Sequence, residues 1–134
     1  MRSSGKDESM KGSGDGLPDS FRNAFAGIAA LISSERNARI HLGILILVIA
    51  AGILLKISPA HWIAVTLAAG LVLTAECLNT AIESLCDSIK PGYDPGIKRA
   101  KDLAAAGVLI SAVTAAVTGL IVFIPAFLRF IKQI

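Results

Sequence analysis

A chain of 134 residues with 54% hydrophobic side chains is too apolar to bury that surface in one small water-soluble domain, so lipid is its natural solvent. The net charge of +3 is gathered at the ends of apolar runs and aromatics make up only 5%, which excludes a basic, base-stacking nucleic-acid surface. Cys77 and Cys86 fall within one apolar helical pattern without zinc-ligand spacing, and the polar start of the chain excludes a secretory signal peptide.

Residues 1–18, rich in Gly, Ser and charge and closed by Pro18, read as a disordered polar tail; residues 19–134 read as one membrane domain. Asp19 or Ser20 can cap a first helix over 19–39. In it Phe21, Phe25, Ile28, Leu31 and Ile32 recur at helical spacing, while Arg22, Asn23, Ser33, Glu35, Arg36 and Arg39 are interleaved with them. That pattern suits an amphipathic helix lying on a membrane surface. A first span runs over about 40–57, ended by Ser58-Pro59. A second covers about 60–89, apolar to Ala75 and then carrying Glu76, Asn79, Glu83 and Asp87. Lys90 to Arg99 reads as a loop punctuated by Pro91, Gly92, Pro95 and Gly96. The third span, about 101–130, is uncharged from Leu103 to Leu128. The expected fold is therefore all-α and integral to the membrane, with an N-terminal surface helix and three transmembrane helices. Arg22, Arg36, Arg39, Lys90, Lys98, Arg99 and Lys101 fall on one side and Lys56, Arg129 and Lys132 on the other. This bias puts the surface helix and the second loop in the cytoplasm.

The chemistry lies in Glu76 to Asp87. At about 100° per residue, Glu76, Asn79, Glu83 and Asp87 share one helix face within roughly 80°. Three acids and an amide on one stripe are costly against lipid, so the stripe faces other helices, water or a ligand. A helix from His61 to Ile89 is about 43 Å long against a hydrocarbon core of about 30 Å. Glu83 and Asp87 then stand in water and Glu76 at the boundary, where a membrane-held hydroxyl can reach it. Glu35, ahead of the first span, and Lys101-Asp102, ahead of the third, converge on the same border. Glu35 and Glu83 offer oxygen ligands suited to Mg²⁺, and Lys101 a point charge for phosphate. Plainer readings stand beside these: Glu83 and Asp87 on a solvated helix extension, Glu76 and Asn79 as oligomer contacts, Lys101 as a snorkelling anchor, and Glu35 on a solvated face. No glycine-rich phosphate loop or soluble-kinase motif is present, so a nucleotide site has to be built from helices. His41 and His61 do not look like a metal pair.

The run E-C-L-N-T-A-I-E-S-L-C-D from Glu76 to Asp87, followed by K-R-A-K-D-L-A-A-A-G-V, resembles the prokaryotic diacylglycerol kinase family. The S-E-R-N-A-R-I-H segment, Ser34 to His41, looks more like the undecaprenol kinases of that family. The likeness runs from about Phe21 to Pro125. It implies a homotrimer with active sites shared between subunits, ATP as donor, Mg²⁺ as cofactor, and a lipid alcohol as acceptor, undecaprenol favoured over diacylglycerol. By position it implies Glu76 as the general base in contact with the lipid hydroxyl, Glu35 and Glu83 as Mg²⁺ and nucleotide ligands, and Asp87, Lys101 and Asp102 as nucleotide-binding groups. It also implies Asn79 as a polar support at the substrate, Tyr93 near the nucleotide, and Ala105 beside the lipid where some members carry serine. Asn23 departs from the aromatic that the family often has there. Two other classes compete with this reading. A small ion carrier would need polar residues continuing beyond Thr66 and Thr74 in the second span, and a non-enzymatic membrane partner gives Glu35, Glu83 and Lys101-Asp102 no reason to share a border.

Overall fold

The computed structural model describes residues 16–89 and 92–132. Its elements are four helices: α1 (Leu17–Ser34), α2 (Arg36–Leu54), α3 (Pro59–Ile89) and α4 (Pro95–Ile131). The described residues contain no strand. Helices α2, α3 and α4 are each long and apolar enough to cross a membrane. The polar tail expected over 1–18 falls outside the described residues up to residue 15, but Leu17 and Pro18 open α1 behind Gly16 as N-cap. Pro18 is thus a helix starter, because its missing N–H is one the first turn leaves unused anyway. On α1, Leu17, Phe21, Phe25 and Ile28 form an exposed apolar stripe, the face expected for a helix on a bilayer surface.

The surface helix was expected to reach Arg39, but it ends at Ser34. Glu35 is extended (φ −99°, ψ 120°) and serves as C-cap of α1 and N-cap of α2. The Ser33-Ser34 pair explains the break: serine hydroxyls compete for helix carbonyls, and Ser33 Oγ donates to Ala30 O at 2.9 Å. Across the break, the Arg39 guanidinium on α2 donates to Ser33 O at 3.0 Å and satisfies a terminal carbonyl of α1.

Between α2 and α3 the chain reverses in four residues. Lys56 N–H donates to Ile53 O and Ile57 N–H to Gly52 O, with Lys56 at φ 48°; this paired pattern is a Schellman termination. Ile57 then turns inward to join Val65, Val122 and Ala126 in the buried cluster, with Val48, Leu55, Trp62 and Phe123 packed around it. The loop expected over Lys90–Arg99 is shorter. Pro95 starts α4 as Pro18 starts α1, and Asp94 Oδ1 caps it by accepting from Gly96 N at 2.8 Å and Ile97 N at 3.2 Å. Pro95 and Gly96, read as breakers, sit in the first turn, where neither disrupts the ladder. Helices α3 and α4 form the most extensive contact, antiparallel to each other.

Gly52 is required by close approach. A Cβ there would meet the Trp62 indole at 2.7 and 2.9 Å and Ile57 Cδ1 at 3.1 Å. Gly52→Ala should therefore destabilise the α2–α3 hairpin by about 1–3 kcal/mol. The check is a lowered thermal midpoint in detergent, partly recovered when Trp62→Leu is added.

Candidate active site

The start of α2, the end of α3 and the start of α4 lie at one end of the bundle, since the two connections reverse direction. Glu76 is the most notable residue there. Only 2% of it is exposed, in a chain whose large apolar side chains are mostly exposed. Its partner comes from another helix: His41 Nε2 of α2 lies 3.2 Å from Glu76 Oε1. This separation is within ion-pair reach, but the ring N–H is not aligned on the oxygen, so Oε1 has no hydrogen-bond donor among the described residues. His41 was not anticipated as a site residue. The signal was available in the hairpin: residues 41 and 76 lie within about one helical turn of mirror positions across the α2–α3 turn.

Further along α3 the expected stripe is present. Asn79 Nδ2 donates to Glu83 Oε1 at 3.2 Å, one turn on, while Asn79 Oδ1 is buried without a partner. Asp87 is linked across to α4, where Lys101 Nζ donates to its Oδ1 at 2.6 Å. Lys101 and Asp102, adjacent in sequence, diverge: Asp102 Oδ2 pairs with Lys98 Nζ at 2.5 Å along the surface of α4. Tyr93, 81% exposed, stands in the α3–α4 connection. Ala105 is exposed on α4, one turn after Lys101.

Glu35 stands at the α1–α2 break instead of on a helix face. Its carboxylate makes no capping bond to α2; Oε1 accepts from Ser34 Oγ at 3.2 Å. Its height follows from the contact at His41. Six residues back along α2 is about 9 Å, and seven residues on from Glu76 along α3 is about 10 Å, so Glu35 and Glu83 stand at about the same level. Among the described residues no three His, Cys, Asp or Glu side chains form a ready-made metal cluster. Mg²⁺ does not need one: it takes one or two protein carboxylates and fills its octahedron with water and phosphate oxygens. Two hard oxygen donors at one level and the unpartnered Asn79 Oδ1 fit that demand.

An apolar cavity of about 300 Å³ lies between α2, α3 and α4, bounded by Val48, Val72, Ala112, Ala116 and Phe123, with His41 on its wall. Val72 stands one turn before Glu76, and His41 on the cavity wall is the residue that lies 3.2 Å from the buried carboxylate.

An integral membrane protein with an acidic stripe at one end of its bundle matches known proteins over most of its length. The family model described as prokaryotic diacylglycerol kinase matches residues 22–123. The undecaprenol kinase of Bacillus subtilis (strain 168) is 37% identical over 106 residues, covering 79% of this chain and 86% of the relative. The diacylglycerol kinase of Synechocystis sp. (strain ATCC 27184 / PCC 6803 / Kazusa) is 37% identical over 110 residues, covering 81% of this chain and 63% of that relative. Fold and relatives together define a membrane lipid kinase. The chain belongs to the prokaryotic diacylglycerol kinase family.

The Asp87–Lys101 link is open to solvent, with 70% and 33% of the two side chains exposed, so it adds little to the stability of the fold. Asp87→Asn should leave the thermal midpoint within a few degrees of the parent chain. A collapse of the fold in that variant would show that the pair holds α3 to α4.

Proposed function

We propose that this chain transfers the γ-phosphoryl group of ATP to the hydroxyl of a long-chain lipid alcohol, with undecaprenol as acceptor. We assign the reaction to the cytoplasmic border of the bacterial inner membrane, in a homotrimer. The observation that carries the reading is the position of Glu76: a single buried carboxylate between an apolar cavity and a polar stripe. A lipid chain in the cavity brings its hydroxyl to Glu76, while a water-soluble donor occupies the exposed end of α3.

In this mechanism Glu76 accepts the hydroxyl proton as the lipid oxygen forms its bond to the γ-phosphorus. The bond from that phosphorus to the bridging oxygen breaks, and ADP leaves with its electron pair. Glu35 and Glu83 would hold Mg²⁺, which when bound offsets phosphate charge. Lys101 adds a fixed cation near the phosphates, and Asp87 orients it through their 2.6 Å contact. Asp102 and Tyr93 lie at the same end, toward the nucleotide, and Asn79 holds Glu83 in place. Ala105 leaves room beside the lipid headgroup.

The match to the Synechocystis diacylglycerol kinase, at the same identity as that to the undecaprenol kinase, supports a second reading with diacylglycerol as acceptor and phosphatidic acid as product. Purified protein offered ATP with undecaprenol or diacylglycerol in parallel micelles separates them: undecaprenol should be phosphorylated faster. Phosphorylation of neither lipid would overturn the proposal.

Two variants test the roles. Glu76→Gln should retain the fold and lose about 100-fold or more in rate, the usual range for removing a general base. Glu83→Gln should shift the Mg²⁺ titration to higher concentration; an unchanged titration would count against ligation there.

A further inference from the structure

His41 is the one titratable side chain at the buried carboxylate that the mechanism above leaves unused. It lies on α2, a different helix from every other residue of the stripe, and its side chain is 22% exposed, with Nε2 3.2 Å from Glu76 Oε1. No described residue donates an aligned hydrogen bond to that oxygen, and His41 Nε2 is the donor beside it. Burying one carboxylate oxygen without a donor is unfavourable, and the His41 N–H is the group that can offset it. A catalytic base held by a third group is the general arrangement of activated acid–base sites, and such contacts are commonly misaligned before substrate binds and tighten in the loaded complex.

We propose that His41 is the positioning residue of this kinase: its Nε2–H holds Glu76 Oε1, so that Oε2 is presented to the lipid hydroxyl. The proposal rests on Glu76 being the base. With a new helix begun at Arg36, His41 sits in its second turn, facing both α3 and the apolar cavity. His41 therefore meets the incoming lipid and the base together. Because it does not touch the nucleotide groups at Asp87 and Lys101, its loss should appear in turnover and not in nucleotide affinity.

The test uses the full chain in lipid–detergent micelles, with kcat and KM for ATP–Mg²⁺ measured for His41→Leu, His41→Gln and His41→Asn. The amide nitrogen of glutamine falls close to the position of Nε2, whereas that of asparagine falls nearer Nδ1. His41→Leu should lose about 10- to 100-fold in kcat with KM for ATP within about twofold, the cost of a misplaced catalytic group. His41→Gln should recover most of that loss and His41→Asn little of it. In a Glu76→Gln background, His41→Leu should cost no further rate, since the two residues act as a unit. A kcat for His41→Leu equal to that of the parent chain would overturn the proposal. Equal losses in the Gln and Asn variants, which compare side chains of nearly equal polarity and foldability, would overturn it as well. Full activity of Glu76→Gln would instead defeat the base assignment, and is read separately from the His41 series.

Discussion

A carboxylate buried among helices in a lipid-solvated chain is the constraint around which the rest of this molecule is arranged. Ser111, the other buried polar residue among the described residues, satisfies itself by donating to Val108 O within its own helix. Glu76 cannot do so, because a carboxylate is an acceptor and the carbonyls of its own helix offer it no donor. Its partner has to arrive from a neighbouring helix at the right height and rotation. That requirement reaches down the hairpin to its far end, where the Schellman turn at Lys56 and the close approach of Gly52 to Trp62 set how α2 lies against α3. The apolar cluster at Ile57, Val65, Val122 and Ala126 holds α4 to the same end. That cluster lies at the end away from the polar groups, while at the polar end buried Leu31, Ala38 and Cys86 stand beside a few directional contacts.

From this follows a gradient along α3. Glu76 is buried, Asn79 and Glu83 are half-buried and bonded to each other, and Asp87 is exposed and bound to Lys101. The contacts weaken energetically toward water, because exposed ion pairs gain little and are screened. Weak pairs are also easily rearranged around a charged ligand, whereas the buried carboxylate cannot reorient freely. One helix thus carries a rigid, buried group near its middle and adaptable, exposed groups toward its end.

Much of this was legible in the sequence. The three spans follow from apolar runs bounded by Pro59 and by the proline-rich connection after Ile89. The acidic stripe follows from the spacing of Glu76, Asn79, Glu83 and Asp87, and both depend only on local periodicity. The helix ends were less legible. Pro18 and Pro95 read as terminators and are starters, since proline in a first turn and proline in a loop look alike until the following residues commit to helix. The break at Glu35 was hidden because Ser33-Ser34 is also compatible with a continuous polar face. Asp102 was grouped with Lys101 by adjacency, but successive residues on a helix point about 100° apart, and Asp102 turns to Lys98 instead.

The sequence by itself determined which segments are helical, which enter lipid, and which face of α3 carries charge, because each is a short-range consequence of side-chain period and capping. Only the tertiary structure decided that Glu76 has an imidazole at its side. That contact depends on the relative rotation and offset of two helices, set by a positive-φ turn and a glycine–tryptophan approach some distance from either residue. A property of two helices together cannot be read from the pattern of either one.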